Sequence, residues 1–177
     1  MKNLNIYIAE KLKIVHKPSD KSCAPNTKEE LRNVIEERLE RDPNANLNDI
    51  DVSNITDMSK LFCGLDPHNI DIFKWDVSNV ENMRGIFCYC YNFNSDLSAW
   101  DVSNVRDMAL MFCNCKNFNS DLSRWNVSNV QDMRSMFWDC KNFNSDLSDW
   151  NVLNVKARSM FDGCDSMKKL PKWYMGY

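Results

Sequence analysis

The chain has 177 residues, and its 22 Lys and Arg against 25 Asp and Glu give a formal net charge of −3. This length suits one domain with a real hydrophobic core. Only four Gly and two His are present, which argues against a Gly-rich phosphate loop and against a site built from histidines. The balanced charge leaves no electrostatic footprint for nucleic acid, so nucleic acid is not an expected partner.

The first predicted segment, residues 1–26, is an amphipathic leader followed by a linker. Its apolar residues recur at helical spacing and are Leu4, Ile8, Leu12 and Val15, with Tyr7 beside them. Charged residues interrupt this stretch, which is typical neither of a secretory signal nor of a membrane span. Two interpretations remain open: the leader packs on the flank of the molecule, or it docks into a partner as a tag. A helix lying on a membrane surface is a weaker third alternative.

The second segment, residues 27–46, is predicted to contain a capping helix. Thr27 and Glu30 form a capping box at its start, and Pro43 ends it. The apolar residues between them define one face, made of Leu31, Val34, Ile35 and Leu39. We expect a helix over residues 28–41 that lays this face on the first repeat.

The third segment, residues 47–177, is a tandem repeat with a C-terminal cap. Its register is marked by tryptophans twenty-five residues apart, namely Trp75, Trp100, Trp125 and Trp150. Apolar residues inside one copy fall mostly three apart, which fits neither a strand nor a helix throughout. We expect a chain that coils round a narrow axis, with a short strand near Leu122, helical turns over residues 132–137, and copies that stack. Residues 170–174 should fold over the last copy.

Asparagine also repeats within this third segment. One position is held by Asn54, Asn79, Asn104, Asn129 and Asn154, and a second by Asn69, Asn94, Asn119 and Asn144. These amides would either form a polar binding stripe or satisfy backbone groups at the corners of the repeats. The structural interpretation is favoured, because identical residues repeated between apolar ones are typical of a scaffold.

The repeated phrase W-D-V-S-N-V-x-x-M-x-x-M-F resembles the BspA-like leucine-rich-repeat family over roughly residues 47–174. This resemblance implies an α/β fold, a right-handed leucine-rich-repeat-like solenoid of about five 25-residue coils with an N-terminal capping helix. It also implies binding or adhesion rather than catalysis, in bacterial surface proteins or in gut bacteria and their phages. The opening N-I-Y-I-A-E-K-L-K-I resembles the starts of gut-phage proteins, which implies a tag.

Seven of the eight cysteines fall on two columns of the repeat. The first holds Cys63, Cys88 and Cys113, and the second holds Cys90, Cys115, Cys140 and Cys164. We predict free thiols, because Cys fills a small buried position well and the chain carries no export signal. Zinc held by the Cys-x-Cys pairs and disulfides between copies remain alternatives. Cys23, in the linker, is predicted to be the most reactive thiol.

Candidate partner-binding residues lie where the copies differ. They are the charged residues Lys74, Arg124 and Asp149, which precede the repeated tryptophan, and the aromatic residues Tyr89 and Trp138. No asymmetric constellation of catalytic groups is present, so we expect no enzyme, no cofactor, no metal and no small-molecule substrate.

The sequence therefore predicts a non-catalytic protein–protein interaction scaffold, whose leader is a docking tag for a larger bacterial or phage assembly. A surface adhesion module is the alternative, and a metal-binding repeat protein is a more distant one. The expected location is the cytoplasm or a virion, with the cell surface as the alternative.

Overall fold

The computed structural model describes residues 23–175. Within this range the chain forms one helix, α1 (Lys28–Arg41), and no strand. Successive copies of the repeat lie against one another in parallel and are joined by isolated backbone bridges. These bridges pair Cys23 with Ile50, Asn46 with Asp71, Asp57 with Asn82, Asn82 with Asp107, Asp107 with Asp132, and Asp132 with Lys156.

Helix α1 begins and ends where the sequence predicts. The Thr27 hydroxyl accepts a hydrogen bond from the Glu30 N–H at 3.1 Å, which satisfies one of the free donors of the first turn. The Glu30 carboxylate accepts from the N–H of Asn26 at 2.8 Å, one residue earlier than in the usual capping box. The predicted helix over residues 28–41 is confirmed.

One face of α1 covers the first repeat. Leu31 and Ile35 are fully buried in the same core as the repeats. Beside them, the Arg32 guanidinium donates to the backbone carbonyls of Lys60 and Leu61, at 2.9 Å each. The helix therefore closes this end of the core, and Arg32 satisfies the Leu61 carbonyl, whose equivalents in later copies accept from the preceding copy.

The predicted fold class, an α/β leucine-rich-repeat-like right-handed solenoid of about five coils, is wrong. Residues 23–175 contain one helix, isolated bridges and no sheet. Near Leu122 no strand forms, because its N–H donates to the Ser145 hydroxyl at 3.2 Å instead of to a backbone carbonyl. Residues 134–139 form consecutive turns rather than helical turns, because Ser135 and Asp139 adopt positive φ and interrupt each helical turn.

Aromatic side chains hold the stacked copies together. One buried row contains Phe62, Phe87, Phe112, Phe137 and Phe161, whose neighbouring ring centroids are 5.2–5.7 Å apart. A second row of Phe93, Phe118 and Phe143 has spacings of 5.8 and 6.0 Å. Each of these Phe side chains packs on its equivalent in the next copy, and the two rows form part of the apolar core.

The repeated tryptophans add a polar contact to the same core. The indole N–H of Trp125 donates to the carbonyl of Leu97 in the preceding copy at 3.1 Å, and the other tryptophans make the equivalent bond. Near the end of the described range, Trp173 takes the next place: it stacks on Trp150 at 6.2 Å and donates to Leu147 at 2.8 Å. Residues 170–174 thus fold over the last copy, as predicted.

Candidate interaction surface

Three exposed aromatic residues, Tyr89, Tyr91 and Trp138, define what we call the aromatic face. Their exposed fractions are 48%, 41% and 41%. The rings of Tyr89 and Tyr91 meet edge to face with centroids 6.4 Å apart, and the Lys116 ammonium lies 5.3 Å from the Tyr91 ring centroid. Such side chains combine a large apolar area with a polar tip, which suits them to a contact with another protein.

Backbone hydrogen bonds connect the parts of the aromatic face through the copy of the repeat that lies between them. The N–H of Tyr89 donates to the carbonyl of Cys113 at 2.8 Å, and the N–H of Asn114 donates to the carbonyl of Trp138 at 2.8 Å. Tyr89 and Trp138 therefore flank the same two residues of the copy between them. Both bonds use main-chain atoms, so the face is held by the stack itself.

Tyr89 occupies an unusual backbone conformation. Its φ is +61°, in the left-handed region that costs an L-residue free energy unless it is Gly or Asn. The equivalent residues of the other copies are Gly64, Asn114, Asp139 and Gly163, all of which also have positive φ. Tyr89 is the one bulky residue in this column, and an outlier of this kind is a reason to look for a function at that position.

Tyr91 was not singled out by the sequence, although a signal was present. It shares its column with Asp66, Lys116 and Lys141, so it is the only aromatic residue among charged ones. Comparing the copies position by position, as for Tyr89 and Trp138, would have identified Tyr91 from the sequence.

The charged candidates lie elsewhere on the repeat. Lys74, Arg124 and Asp149 are exposed, each directly before one of the repeated tryptophans, and no described contact joins them to the aromatic face. Arg124 borders a groove of about 490 Å³ whose other walls are polar residues of two neighbouring copies, among them Asn94 and Asp121. The structure thus separates the predicted partner-binding residues into two groups.

The second cysteine column is buried and makes internal contacts. The thiols of Cys90, Cys115, Cys140 and Cys164 each donate to a phenylalanine carbonyl of the preceding copy, at 3.2, 3.0, 2.8 and 3.0 Å. Burial raises the pKa of these thiols, so they remain protonated near neutral pH. All eight cysteines are free thiols.

The first cysteine column contains an asymmetric pair. A side-chain hydrogen bond from Cys88 lowers the pKa of the Cys113 thiol to about 7, and the same bond raises the pKa of Cys88. Burial raises the pKa of Cys23, which lies outside this column. These directions disfavour Cys23 as the most reactive thiol, because the thiolate is the nucleophile.

The repeated asparagines bond to the backbone. The amides of Asn79, Asn104 and Asn129 donate to serine carbonyls of the preceding copy, at 2.9, 2.7 and 2.7 Å. At the second position, the Asn94 and Asn119 side-chain oxygens accept from the N–H of the next asparagine at 2.9 Å. Asn54 and Asn154 are exposed.

Three remaining predictions concern the leader, a metal site and a membrane span. The leader residues Leu4, Tyr7, Ile8, Leu12 and Val15 lie outside residues 23–175. Among the described residues, no group of three or more His, Cys, Asp or Glu is arranged to hold a metal ion. No helix in the part of the chain that the structure describes is long and apolar enough to cross a membrane.

The fold and surface define a tandem-repeat protein with a rigid stacked core and an exposed aromatic face. The chain belongs to the family of Mycoplasma proteins of unknown function, DUF285, whose model matches residues 29–112 and 57–174. No curated protein and no solved structure matches the chain.

Proposed function

We propose that the protein is a non-catalytic protein–protein interaction scaffold that binds its partner through the aromatic face. The observation that carries this proposal is Tyr89, a bulky side chain held at φ +61° and yet half exposed to solvent. A bulky residue that adopts this conformation without packing in the core supports the proposal of a contact outside the chain. The predicted resemblance to the BspA-like family also supports a binding role.

The contacts around the face suit a binding surface. Tyr and Trp are enriched among residues that contribute most of the free energy of binding, because they desolvate a large area with few rotatable bonds. Main-chain bonds at Cys113 and Asn114 fix the positions of Tyr89 and Trp138 before any partner arrives. A surface ordered in advance loses little conformational entropy on binding.

The test is affinity capture from the source cell with the full-length protein as bait, followed by mass spectrometry. Wild-type bait is compared with Trp138→Ala and with Tyr89→Asn, which places the asparagine of the neighbouring copy in the left-handed position. Phe73→Ala is the matched control, because Phe73 is an equally exposed aromatic residue outside the aromatic face. We expect both face variants to lose the same partner at least tenfold, while the control retains it.

A further variant, Arg124→Asp, separates the two groups of candidate residues. If it abolishes capture while Trp138→Ala leaves capture unchanged, the partner binds at the charged groove and the aromatic face is not the site. If no variant alters capture, the proposed surface is wrong. Circular dichroism and thermal melting of each variant distinguish loss of binding from loss of folding.

The role of the leader is a separate part of the proposal. We place residues 1–26 as a docking tag for a larger bacterial or phage assembly, so deletion of residues 1–20 should remove the protein from that assembly. The melting temperature should change little on deletion, whereas a large fall would show that the leader packs on the repeats instead. Cell fractionation tests the proposed cytoplasmic or virion-associated location against the cell surface.

A further inference from the structure

The final repeat of the described chain ends in backbone donors that have lost their acceptors. In every earlier copy a row of alternate N–H groups donates to carbonyls of the next copy. Met133 and Ser135, for example, donate to Lys156 and Arg158 at 2.7 and 3.0 Å. The equivalent donors of the last copy are the N–H groups of Ala157 and Ser159, and no residue within 23–175 accepts from them.

A sequence change adds a third free donor at the same place. In four successive copies an acidic or amide side chain accepts the N–H two residues later, at 2.8–3.0 Å: Asp57, Asn82, Asp107 and Asp132. Lys156 takes the next place in this column, paired with Asp132 by a backbone bridge. A lysine side chain has no acceptor, so the N–H of Arg158 loses the partner that its equivalents have.

The side chains at this end add positive charge to the free donors. Among the described residues, neither Lys156 nor Arg158 has a carboxylate within ion-pair distance. At the opposite end of the stack the cation Arg32 meets carbonyl oxygens and is satisfied by them. Here the cations and the N–H groups have the same polarity, so one anion can interact with both.

A cavity of about 390 Å³ lies against these donors. Residues 155–158 form one wall, and Trp173, Tyr174 and Met175 form the other. The remaining cation on the wall, Arg134, is already paired with Asp132. The walls therefore combine a strip of donors and cations with an aromatic and aliphatic surface, as ligand sites for organic ions commonly do.

We propose that this cavity binds a small organic anion. Its carboxylate or phosphate group would accept from the N–H groups of Ala157 and Arg158 beside Lys156, and its apolar part would lie on Trp173 and Met175. This site is independent of the aromatic face, and the two proposals can fail separately.

The test is calorimetric titration of the full-length protein with four probes: phenylacetate, phenyl phosphate, inorganic phosphate and the neutral phenylacetamide. At least one aromatic anion should bind ten times or more tighter than both phenylacetamide and inorganic phosphate. A preference between phenylacetate and phenyl phosphate identifies the charged group. Equal binding of the neutral amide, equal binding of inorganic phosphate, or no binding of any probe would each overturn the proposal.

Lys156→Asp is the diagnostic variant, because it restores the acceptor of the earlier copies and reverses the charge at the site. It should lower the affinity for the preferred anion at least tenfold and leave the melting temperature equal or higher. Lys169→Asp, with the same charge change outside the cavity, should retain wild-type affinity within twofold. Arg158→Gln gives a second measurement if the first variant folds poorly. Unchanged affinity in both site variants would show that the anion binds elsewhere.

Discussion

Replacing Tyr89 by Asn separates the stability of the protein from its proposed binding function. In the neighbouring copy Asn114 already occupies the equivalent left-handed position with φ +62°, so the substituted backbone has a precedent in the same molecule. Asn tolerates this region because its short polar side chain bonds locally, whereas a tyrosine side chain has no such compensation.

Two opposing terms give the size of the effect. The left-handed conformation costs an ordinary L-residue about 1–2 kcal/mol, and much of this cost is relieved by Asn. The edge-to-face contact with Tyr91, at 6.4 Å, is lost, and an aromatic pair contributes about 0.5–1.5 kcal/mol, with the lower end expected at an exposed site. We therefore expect the free energy of unfolding of Tyr89→Asn to equal that of the wild type or exceed it by up to about 1 kcal/mol.

The assay is urea unfolding followed by tryptophan fluorescence. Tyr91→Asn is the comparison: it removes the same aromatic pair, and also the Lys116 contact, at a residue whose φ is not positive. It should therefore lose about 0.5–1.5 kcal/mol without relieving strain. If Tyr89→Asn destabilises the protein by more than about 1 kcal/mol, Tyr89 is not strained, and the argument for a function at this position fails.

Two further predictions concern the core and the capping helix. Trp125→Phe removes the indole donor to Leu97 and leaves a smaller ring in a buried row. The free energy of unfolding should therefore fall by about 1–2 kcal/mol. Trp138→Phe, at an exposed residue, should change the free energy of unfolding by less than about 0.5 kcal/mol. A hydrogen bond from Arg38 lowers the pKa of Asp49 in the folded state, so its stabilising contribution is complete above about pH 4, the unfolded value, and is lost as the pH falls further. On acidification from pH 6 to pH 3, the urea midpoint of Arg38→Gln should therefore fall less than that of the wild type. An equal fall in both proteins would refute this assignment.

The sequence predicts the interior of the molecule well. Residues that recur every twenty-five positions become the buried contacts between copies, as Trp100 and Phe112 illustrate. The apolar spacing of about three correctly indicates neither continuous strand nor continuous helix. What spacing alone cannot reveal is the backbone conformation between these positions. Leu110 and Ser135 adopt positive φ although neither residue type favours it, and turns of this kind replace the helical turns expected over residues 132–137.

The surface was only partly predictable, for a different physical reason. Trp138 and Tyr89 could be found because aromatic residues stand out in variable columns. The anion site could not, because the N–H of Ala157, one of its two proposed donors, lacks an acceptor only in the last described copy. The sequence does not show which backbone donors are unpaired. The nearest indication is Lys156, which stands in a column of acidic and amide residues.

The stacking also explains how one copy can expose an aromatic residue at a position where its neighbours bury a cysteine. Cys88 and Cys113 are buried, yet Trp138 in the same column is exposed. The carbonyls of Cys113 and Trp138 accept backbone N–H groups of the preceding copy, so these bonds do not depend on which side chain the column carries. A substitution there can alter the surface without altering the register of the repeats, because the register is held by the tryptophan, phenylalanine and asparagine rows. Under the proposed function, recognition depends on side chains at variable positions such as Trp138, while the register depends on the repeated tryptophan, phenylalanine and asparagine rows.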